Sequence, residues 1–355
     1  MTALSRLPGL DALKGLACAL IVWHHLAFYG PMSDVVYDFA PGLMNWLYDY
    51  GRMAVQLFLV VGGFLAAASL APQGTAAFEA AGPLILRRYA RLVKPYLVAL
   101  AASVLVAALL RPWFDHASVP APPTLFQLLA HALLLQDLLG QESLSAGVWY
   151  VAMDLQLYAM AVLVFAAARR LHVSTSVSAG AIAVLLIALL SLLVFNRQPS
   201  FDISALYFFG AYALGMLAFW ASRAVGGRRG LWLAAIVVLA TLALALEFRG
   251  RLVVALVTAL VLVWLSGAPQ DAWPLRWLQK RSLLHLGRIS YSVFLIHFPV
   301  CLLVNAVVSH FWPTQLPANA LGMLLAFALS LLAGQALYRW VESAPLRFAP
   351  RKLSA

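Results

Sequence analysis

Charge is what this sequence has least of. Only 10% of its 355 residues are Asp, Glu, Lys or Arg, against about a quarter in soluble domains, while 64% are apolar. So few polar groups cannot cover the surface of a water-soluble globule, and the long apolar runs point instead to a chain solvated by lipid. Cysteine is nearly absent: Cys18 and Cys301 both lie inside apolar runs. This excludes a disulfide framework and a thiolate metal site and leaves both as packing residues; no metal is expected. Acidic residues number 13 against 24 basic ones, for a net charge of +11. That excess would suit a nucleic-acid binder only if it were gathered on one soluble face, and it is scattered in short clusters between apolar runs. Glycine (22) and proline (18) stand at ordinary frequencies, which speaks against collagen-like, low-complexity and disordered chains. No internal repeat and no HExxH, GxSxG, Walker or dinucleotide-binding fingerprint is present.

Ten apolar runs approach the length needed to cross a bilayer: 13–30, 50–70, 93–111, 147–168, 178–195, 204–220, 231–247, 251–267, 290–309 and 321–341. The expected fold class is therefore all-α and polytopic, with residues 1–348 as one membrane-embedded domain and 349–355 as a short cytoplasmic tail. No small-residue cleavage site follows the first run, so it reads as a retained span rather than a signal peptide. The stretch 125–139 is apolar but short, and it holds His131, Gln136 and Asp137. It reads as an interfacial or re-entrant helix, or as one covering a cavity. Alternating ten spans leaves only Arg52, Arg111, Arg197, Arg249 and Arg251 on one side, with Asp34, Asp38, Asp115 and Glu142 among the acidic residues there. The other 19 basic residues fall on the opposite side, which places both termini in the cytoplasm. The longest segment between runs, about 35 residues at 112–146, is too short to bury a core of its own.

Ionisable groups within spans are costly and tend to face a protein-lined interior. The first span carries His24 and His25 near its outer end. Adjacent helical residues diverge by about 100°, so at most one points squarely into a central cavity. An imidazole titrating near neutrality suits a general base, and hydrogen bonding between helices is the plainer alternative. Asp154 lies about two turns into the fourth span, after Trp149 and Tyr150. His25 is its expected partner, because both fall in the outer half of the membrane; a structural carboxylate tied to a tyrosine or a helix end is the other reading. At the inner side, Lys14 opens the first span, and Arg87, Arg88, Arg91 and Lys94 crowd the entrance to the third. Arg88 and Arg91 share a helix face and could hold a phosphate-rich ligand, although topogenic charge explains the cluster equally well. His297 precedes Pro299 in the ninth span, about a third of the way from its cytoplasmic end, so a kink could seat it beside a cavity as a lining or donor-positioning residue rather than as the partner of His25. The glycines of Gly62-Gly63 and of Gly210 and Gly215 read chiefly as sites of close helix packing.

Leu10-Asp11-Ala12-Leu13-Lys14-Gly15-Leu16-Ala17 followed by Val22-Trp23-His24-His25, then Arg88-Tyr89-Ala90-Arg91, Phe208-Phe209-Gly210-Ala211-Tyr212, Ile289 to Pro299 and Trp340-Val341-Glu342-Ser343-Ala344-Pro345 occur in this order. Together they resemble the membrane-bound acyltransferase family 3, the surface-polysaccharide O-acyltransferase type, from about residue 6 to residue 348. Lys14 and His25 occupy the family's basic residue and histidine, and Arg88 and Arg91 its paired arginines. Asp154 stands where the family often has the longer Glu. Val61-Gly62-Gly63-Phe64 lacks a serine that is common there.

The resemblance implies transfer of an acyl group, commonly acetyl, from acyl-CoA to a hydroxyl of an envelope glycan or glycolipid, in a bacterial inner membrane. On this reading Lys14, Arg88 and Arg91 receive the CoA phosphates. One cavity leads from them to His25 as general base, with Asp154 orienting it. Trp149, Tyr150, Tyr291, His24 and His297 are candidate lining groups, the first three also as oxyanion donors. A secondary transporter or flippase of an envelope precursor and a noncatalytic scaffold are the alternatives. The topology makes a prediction of its own. In cells carrying the chain, a membrane-impermeant maleimide should label Asp115→Cys directly but Arg228→Cys only after permeabilisation; the reverse pattern would invert the orientation.

Overall fold

The computed structural model describes residues 8–171, 177–269 and 273–344; the expected boundary at 348, the tail 349–355 and Arg6 lie outside the described residues. The described residues form helices and no strands. Ten helices are long and apolar enough to cross a membrane. They are span 1, Gly9–Phe28; span 2, Pro41–Leu70; span 3, Ala81–Leu110; span 4, Val148–Ala168; span 5, Ala179–Arg197; span 6, Ala205–Arg223; span 7, Gly227–Leu246; span 8, Gly250–Gly267; span 9, Arg281–Phe311; and span 10, Leu316–Glu342. The end where span 1 begins is called the near end below, and the end where it finishes the far end.

All ten expected runs are present, but spans 3 and 9 begin about three turns and two and a half turns earlier than hydropathy alone suggests. Their first turns carry Arg87, Arg88 and Arg91, and Arg281 and Arg288. Arginine lowers hydropathy without lowering helix propensity, so the helices run on past the apolar stretch. Span 9 continues through Pro299 as one helix.

Span 6 is the buried centre of one group, with 89% of its most apolar stretch enclosed. It packs against spans 2, 5, 7 and 8. Spans 1, 9 and 10 form the second group, joined to the first through contacts of span 1 with span 2 and of span 9 with span 3. Between apolar helices in lipid, association rests on close packing rather than on the hydrophobic effect, and small residues permit it. At the crossing of spans 2 and 6, a Cβ on Gly63 would strike the Tyr212 carbonyl, and one on Gly215 the Val60 carbonyl.

Spans 1 and 9 run parallel and in register. A Cβ on Gly15 would lie 2.9 Å from the Gly287 nitrogen, and one on Gly287 would strike the Asp11 carbonyl. One turn on, the Cys18 thiol donates to the Ser290 carbonyl at 3.3 Å. Two turns further, His25 meets His297. All three pairs keep the same offset of 272 residues, the i, i+3, i+10 spacing of one helix face.

Between spans 3 and 4 the chain folds back along span 3. Arg111 Nε donates to the Pro120 carbonyl at 3.0 Å, while the Tyr89 hydroxyl donates to the Ala132 carbonyl at 2.8 Å. Arg111 and Tyr89 are roughly 33 Å apart along the helix. This arm contains a helix at Leu125–Ala132, capped by the Thr124 hydroxyl and ending before Leu134 in the left-handed region. It is shorter than the 125–139 of the sequence reading. His131 is buried with both ring nitrogens engaged, Nδ1 on the Gln127 carbonyl and Nε2 on the Leu144 amide. Burial lowers its pKa and keeps it neutral.

Gly287→Val should force spans 1 and 9 apart and lower the stability by roughly 1–3 kcal/mol. Gly227→Ala, where an added Cβ meets open space, should be nearly neutral. Unfolding temperatures of the purified variants compare the two; equal temperatures would mean that the contact at Gly287 carries no weight.

Candidate active site

Polar groups gather in two places, one towards each end of the bundle. The near cavity, about 240 Å³, lies between spans 1, 3, 4, 9 and 10 and is lined by Lys14, Arg88, Arg91, Tyr150, Asp154 and Tyr291 among others. Six of the residues singled out in the sequence are thus brought together. The detail differs from expectation in one respect that matters: Asp154 is not the partner of His25. Its carboxylate accepts from Arg88 Nε at 3.0 Å and from Arg88 Nη2 at 2.7 Å, a fork in which the carboxylate is buried and the guanidinium partly so. The physical reason is depth. Span 4 begins beside the folded-back arm, so Asp154 lies level with the first turns of span 3, and a guanidinium fork neutralises a buried carboxylate better than a neutral imidazole would.

Arg88 is thereby committed to Asp154, and Lys14 lies 2.7 Å from Asp11. Arg91 makes no salt bridge among the described residues, nor does Arg288, which lines the same cavity. Sequence reading counted Arg288 only as topogenic charge. Its signal was its place one turn before Tyr291 on the same helix face. Glu342 also borders the cavity and accepts from the Ser292 hydroxyl at 2.6 Å. The Tyr291 hydroxyl donates to the Leu92 carbonyl at 2.9 Å, so its proton is not available to an oxyanion.

At the far end, His25 lies where two cavities meet. One, of about 530 Å³, also takes in His24, Arg52, Arg249 and Arg251; the other, of about 360 Å³, is walled by the arm at 117–121 and 142–147. His25, Tyr29, Gly147 and Trp149 border both. The two adjacent histidines diverge as helix geometry requires. His24 is buried and its Nδ1 donates to the Leu47 carbonyl at 2.9 Å, whereas His25 is only half-buried.

His297 borders none of these cavities; it is fully buried and lies edge to edge with His25, His25 Nδ1 2.6 Å from His297 Nε2 and the two ring planes within 3° of each other. The sequence reading placed it a third of the way from the cytoplasmic end and away from His25. That depth was counted from residue 290, while span 9 begins at Arg281. The hydrogen bonds fix the tautomers. His297 Nδ1 faces the Phe294 carbonyl at 2.7 Å, and a carbonyl only accepts, so Nδ1 carries the proton and Nε2 the lone pair. His25 Nδ1 must then be the donor to His297, which leaves His25 Nε2 as an acceptor. An imidazole oriented by a second imidazole replaces the expected pairing of imidazole and carboxylate.

The near and far cavities are not continuous. Phe294 borders both, and Phe58 and Tyr150 pack on it with ring centroids 6.4 and 5.5 Å away. In place of the single cavity expected from Arg88 to His25 there are two, with the Phe294 ring as their shared wall. Of the three candidate oxyanion donors only Trp149 borders the cavities of His25; Tyr150 and Tyr291 lie on the near side. Among the described residues no cluster of three or more metal-ligating side chains occurs.

A family model described as "Acyltransferase domain" matches residues 7–339. The chain belongs to the acyltransferase 3 family. Comparisons with curated proteins and with solved structures give no match. Membership makes this an acyltransferase-family protein embedded in a membrane by ten spans.

The Arg88–Asp154 fork should behave as a buried ion pair. Asp154→Ala leaves the cation unpartnered and should cost about 3 kcal/mol of stability. Replacing Arg88 and Asp154 together by leucine should recover most of that. Thermal unfolding of the three purified variants tests it; a double variant no more stable than Asp154→Ala would show that the two residues act separately.

Proposed function

We propose that this protein transfers an acyl group, acetyl being the first donor to test, from cytoplasmic acyl-CoA to a hydroxyl of an envelope carbohydrate or glycolipid. We place it in a bacterial inner membrane with both chain termini cytoplasmic. The observation that carries the reading is the hydrogen-bonded chain from the Phe294 carbonyl through His297 to His25. It presents an unprotonated Nε2 to the far cavities in a protein of an acyltransferase family.

His25 Nε2 takes the proton of the acceptor hydroxyl as its oxygen attacks the thioester carbonyl. The C–O bond forms and the C–S bond breaks. The proton then passes from His25 to the departing thiolate, leaving CoA as the thiol. His297 holds the ring of His25 in place and accepts from Nδ1–H throughout, so the positive charge that develops on His25 is met by a lone pair. The Trp149 indole is the donor best placed for the carbonyl oxygen. Direct transfer needs no further group; an acyl-histidine would use the same Nε2 as nucleophile.

The near cavity receives the donor. Arg91 and Arg288, with Lys14 beside them, are the cations free to meet phosphate, while Arg88 stays on Asp154. A space of about 240 Å³ is too small for the whole of CoA, so the nucleotide sits at its mouth and the pantetheine arm enters. The arm reaches His25 only when the rings of Phe294, Phe58 and Tyr150 move aside.

Purified protein supplied with labelled acetyl-CoA and an extract of envelope glycans tests the proposal: label on the glycan supports it. Acceptor movement without label would indicate a transporter or flippase instead, and neither outcome a scaffold. Within the same assay His25→Ala should abolish most transfer and His24→Ala retain more. His297→Ala should lower kcat by about a hundredfold or more with the KM for acyl-CoA little changed. Full activity of His25→Ala would end the general-base role.

A further inference from the structure

The far cavity carries charge that the transfer reaction itself does not require. Arg52, Arg249 and Arg251 border it together with His25, and Asp202 is the one carboxylate on its wall. Only five basic residues belong to the far side in the ten-span topology, and three of them are here. Topogenesis explains why such residues are few, not why they converge on one cavity. The other two are engaged elsewhere, Arg197 with Glu247 at 3.1 Å and Arg111 with the Pro120 carbonyl.

The three guanidiniums differ in what they have left to offer. Arg249 is buried and held by Asn196 Oδ1 at 2.6 Å and by the carbonyls of Leu192 and Ala243. It contributes a fixed positive charge. Arg251 donates through one Nη2 to the Asn196 carbonyl at 2.9 Å and lies over the Tyr207 ring, 4.9 Å from its centroid; its Nε is buried without a partner. Arg52 makes no hydrogen bond and no salt bridge among the described residues. Its side chain is exposed, but its backbone is fixed, because the turn Gly51–Met53 packs on span 1 so closely that a Cβ on Gly51 would lie 2.8 Å from the His24 Cβ. Two cations with spare donors, one of them on a turn that abuts the helix of His25, form a receptor for an oxyanion.

We propose that the far cavity recognises an acceptor bearing an oxyanion, a carboxylate or a phosphate, which Arg52 and Arg251 hold while a neighbouring hydroxyl is presented to His25. The inference rests on the acyl-transfer reading and narrows its acceptor to an acidic glycan or a phosphate-bearing one. A neutral sugar would leave the partnerless Nε of Arg251 unsatisfied in a partly buried place, which is the kind of omission that polar sites discriminate against strongly.

The test uses the full chain in nanodiscs of phosphatidylcholine. Three soluble probes are compared for binding: an oligogalacturonate, the same oligomer with its carboxylates reduced to alcohols, and a glycerol-phosphate oligomer. At least one charged probe should bind about tenfold more tightly than the reduced one. Arg52→Gln with Arg251→Gln should remove that preference without altering acyl-CoA binding, and Arg52→Lys with Arg251→Lys should retain part of it. Arg52→Gln alone, which breaks no internal hydrogen bond, should show a smaller loss in the same direction and keeps the test readable if the double variant fails to fold. A parent protein that binds charged probes no better than the reduced one overturns the proposal, and so does a preference that survives in the double variant. Retention of phosphatidylglycerol by the parent but not by the double variant, uncontested by the soluble probes, would also overturn it by assigning the arginines to lipid. A charge preference in a protein that neither binds nor cleaves acetyl-CoA would instead sink the acyl-transfer reading and leave an anion site standing.

Discussion

The backbone contact between spans 1 and 9 sets the geometry on which the site depends. Gly15 and Gly287 bring the two helices together at their near ends, and because the helices are parallel, every pair beyond keeps the same offset. Ten residues, or roughly 15 Å, further along both helices, the imidazoles of His25 and His297 meet at hydrogen-bonding distance. A side chain larger than hydrogen at either glycine would open that distance at its root. The same glycines are followed or preceded by cations: Lys14 stands just before Gly15 and Arg288 just after Gly287, and both border the near cavity. One close approach therefore positions the near-cavity cations and the His25–His297 pair towards opposite ends of the same seam.

The second constraint is the cost of leaving charge unpaired in a membrane interior. Asp154 meets it by taking Arg88, so the carboxylate expected beside His25 is committed elsewhere. The imidazole is left with a neutral partner. A neutral acceptor fixes the same tautomer, less strongly than a carboxylate would, without adding a buried negative charge. The far end shows the converse. There, Arg52, Arg249 and Arg251 border one cavity and none of them makes a salt bridge among the described residues.

The helical, ten-span architecture was legible because apolar length and charge scarcity are properties of composition and need no tertiary information. The near cluster was legible in part for the same kind of reason, since Arg88 and Arg91 share a face whatever they pack against. What sequence could not supply was relative depth. His297 was assigned to the wrong level because hydropathy drew span 9 from 290, whereas arginine-bearing turns extend it to Arg281. Asp154 was matched to His25 because span 4 was taken to start at the membrane surface, whereas the arm at 112–146 folds back into the bundle before it. The repeated spacing of 15, 18 and 25 against 287, 290 and 297 was present in the sequence all along. Without knowledge that the two helices are neighbours and parallel, nothing distinguished it from many other equal spacings.

Phe294 joins these strands of the argument, since its two halves act on different parts of the site. Its carbonyl fixes the tautomer of His297 and through it that of His25, and its ring stands between the near and far cavities. A side-chain rotation that opens the partition leaves the backbone carbonyl where the helix holds it, so passage and base orientation are mechanically independent. For an acyl transfer between reactants that arrive from opposite ends, that independence has a chemical use. On the proposed reading, a thioester in the near cavity would, with the rings closed, be kept from the far cavities and from His25, and its hydrolysis would be suppressed. Opening the rings exposes the thioester to a base whose geometry has not changed. Acceptor hydroxyl and water then compete for the same Nε2, and an acceptor anchored by its own charge beside His25 holds the position that water would otherwise take.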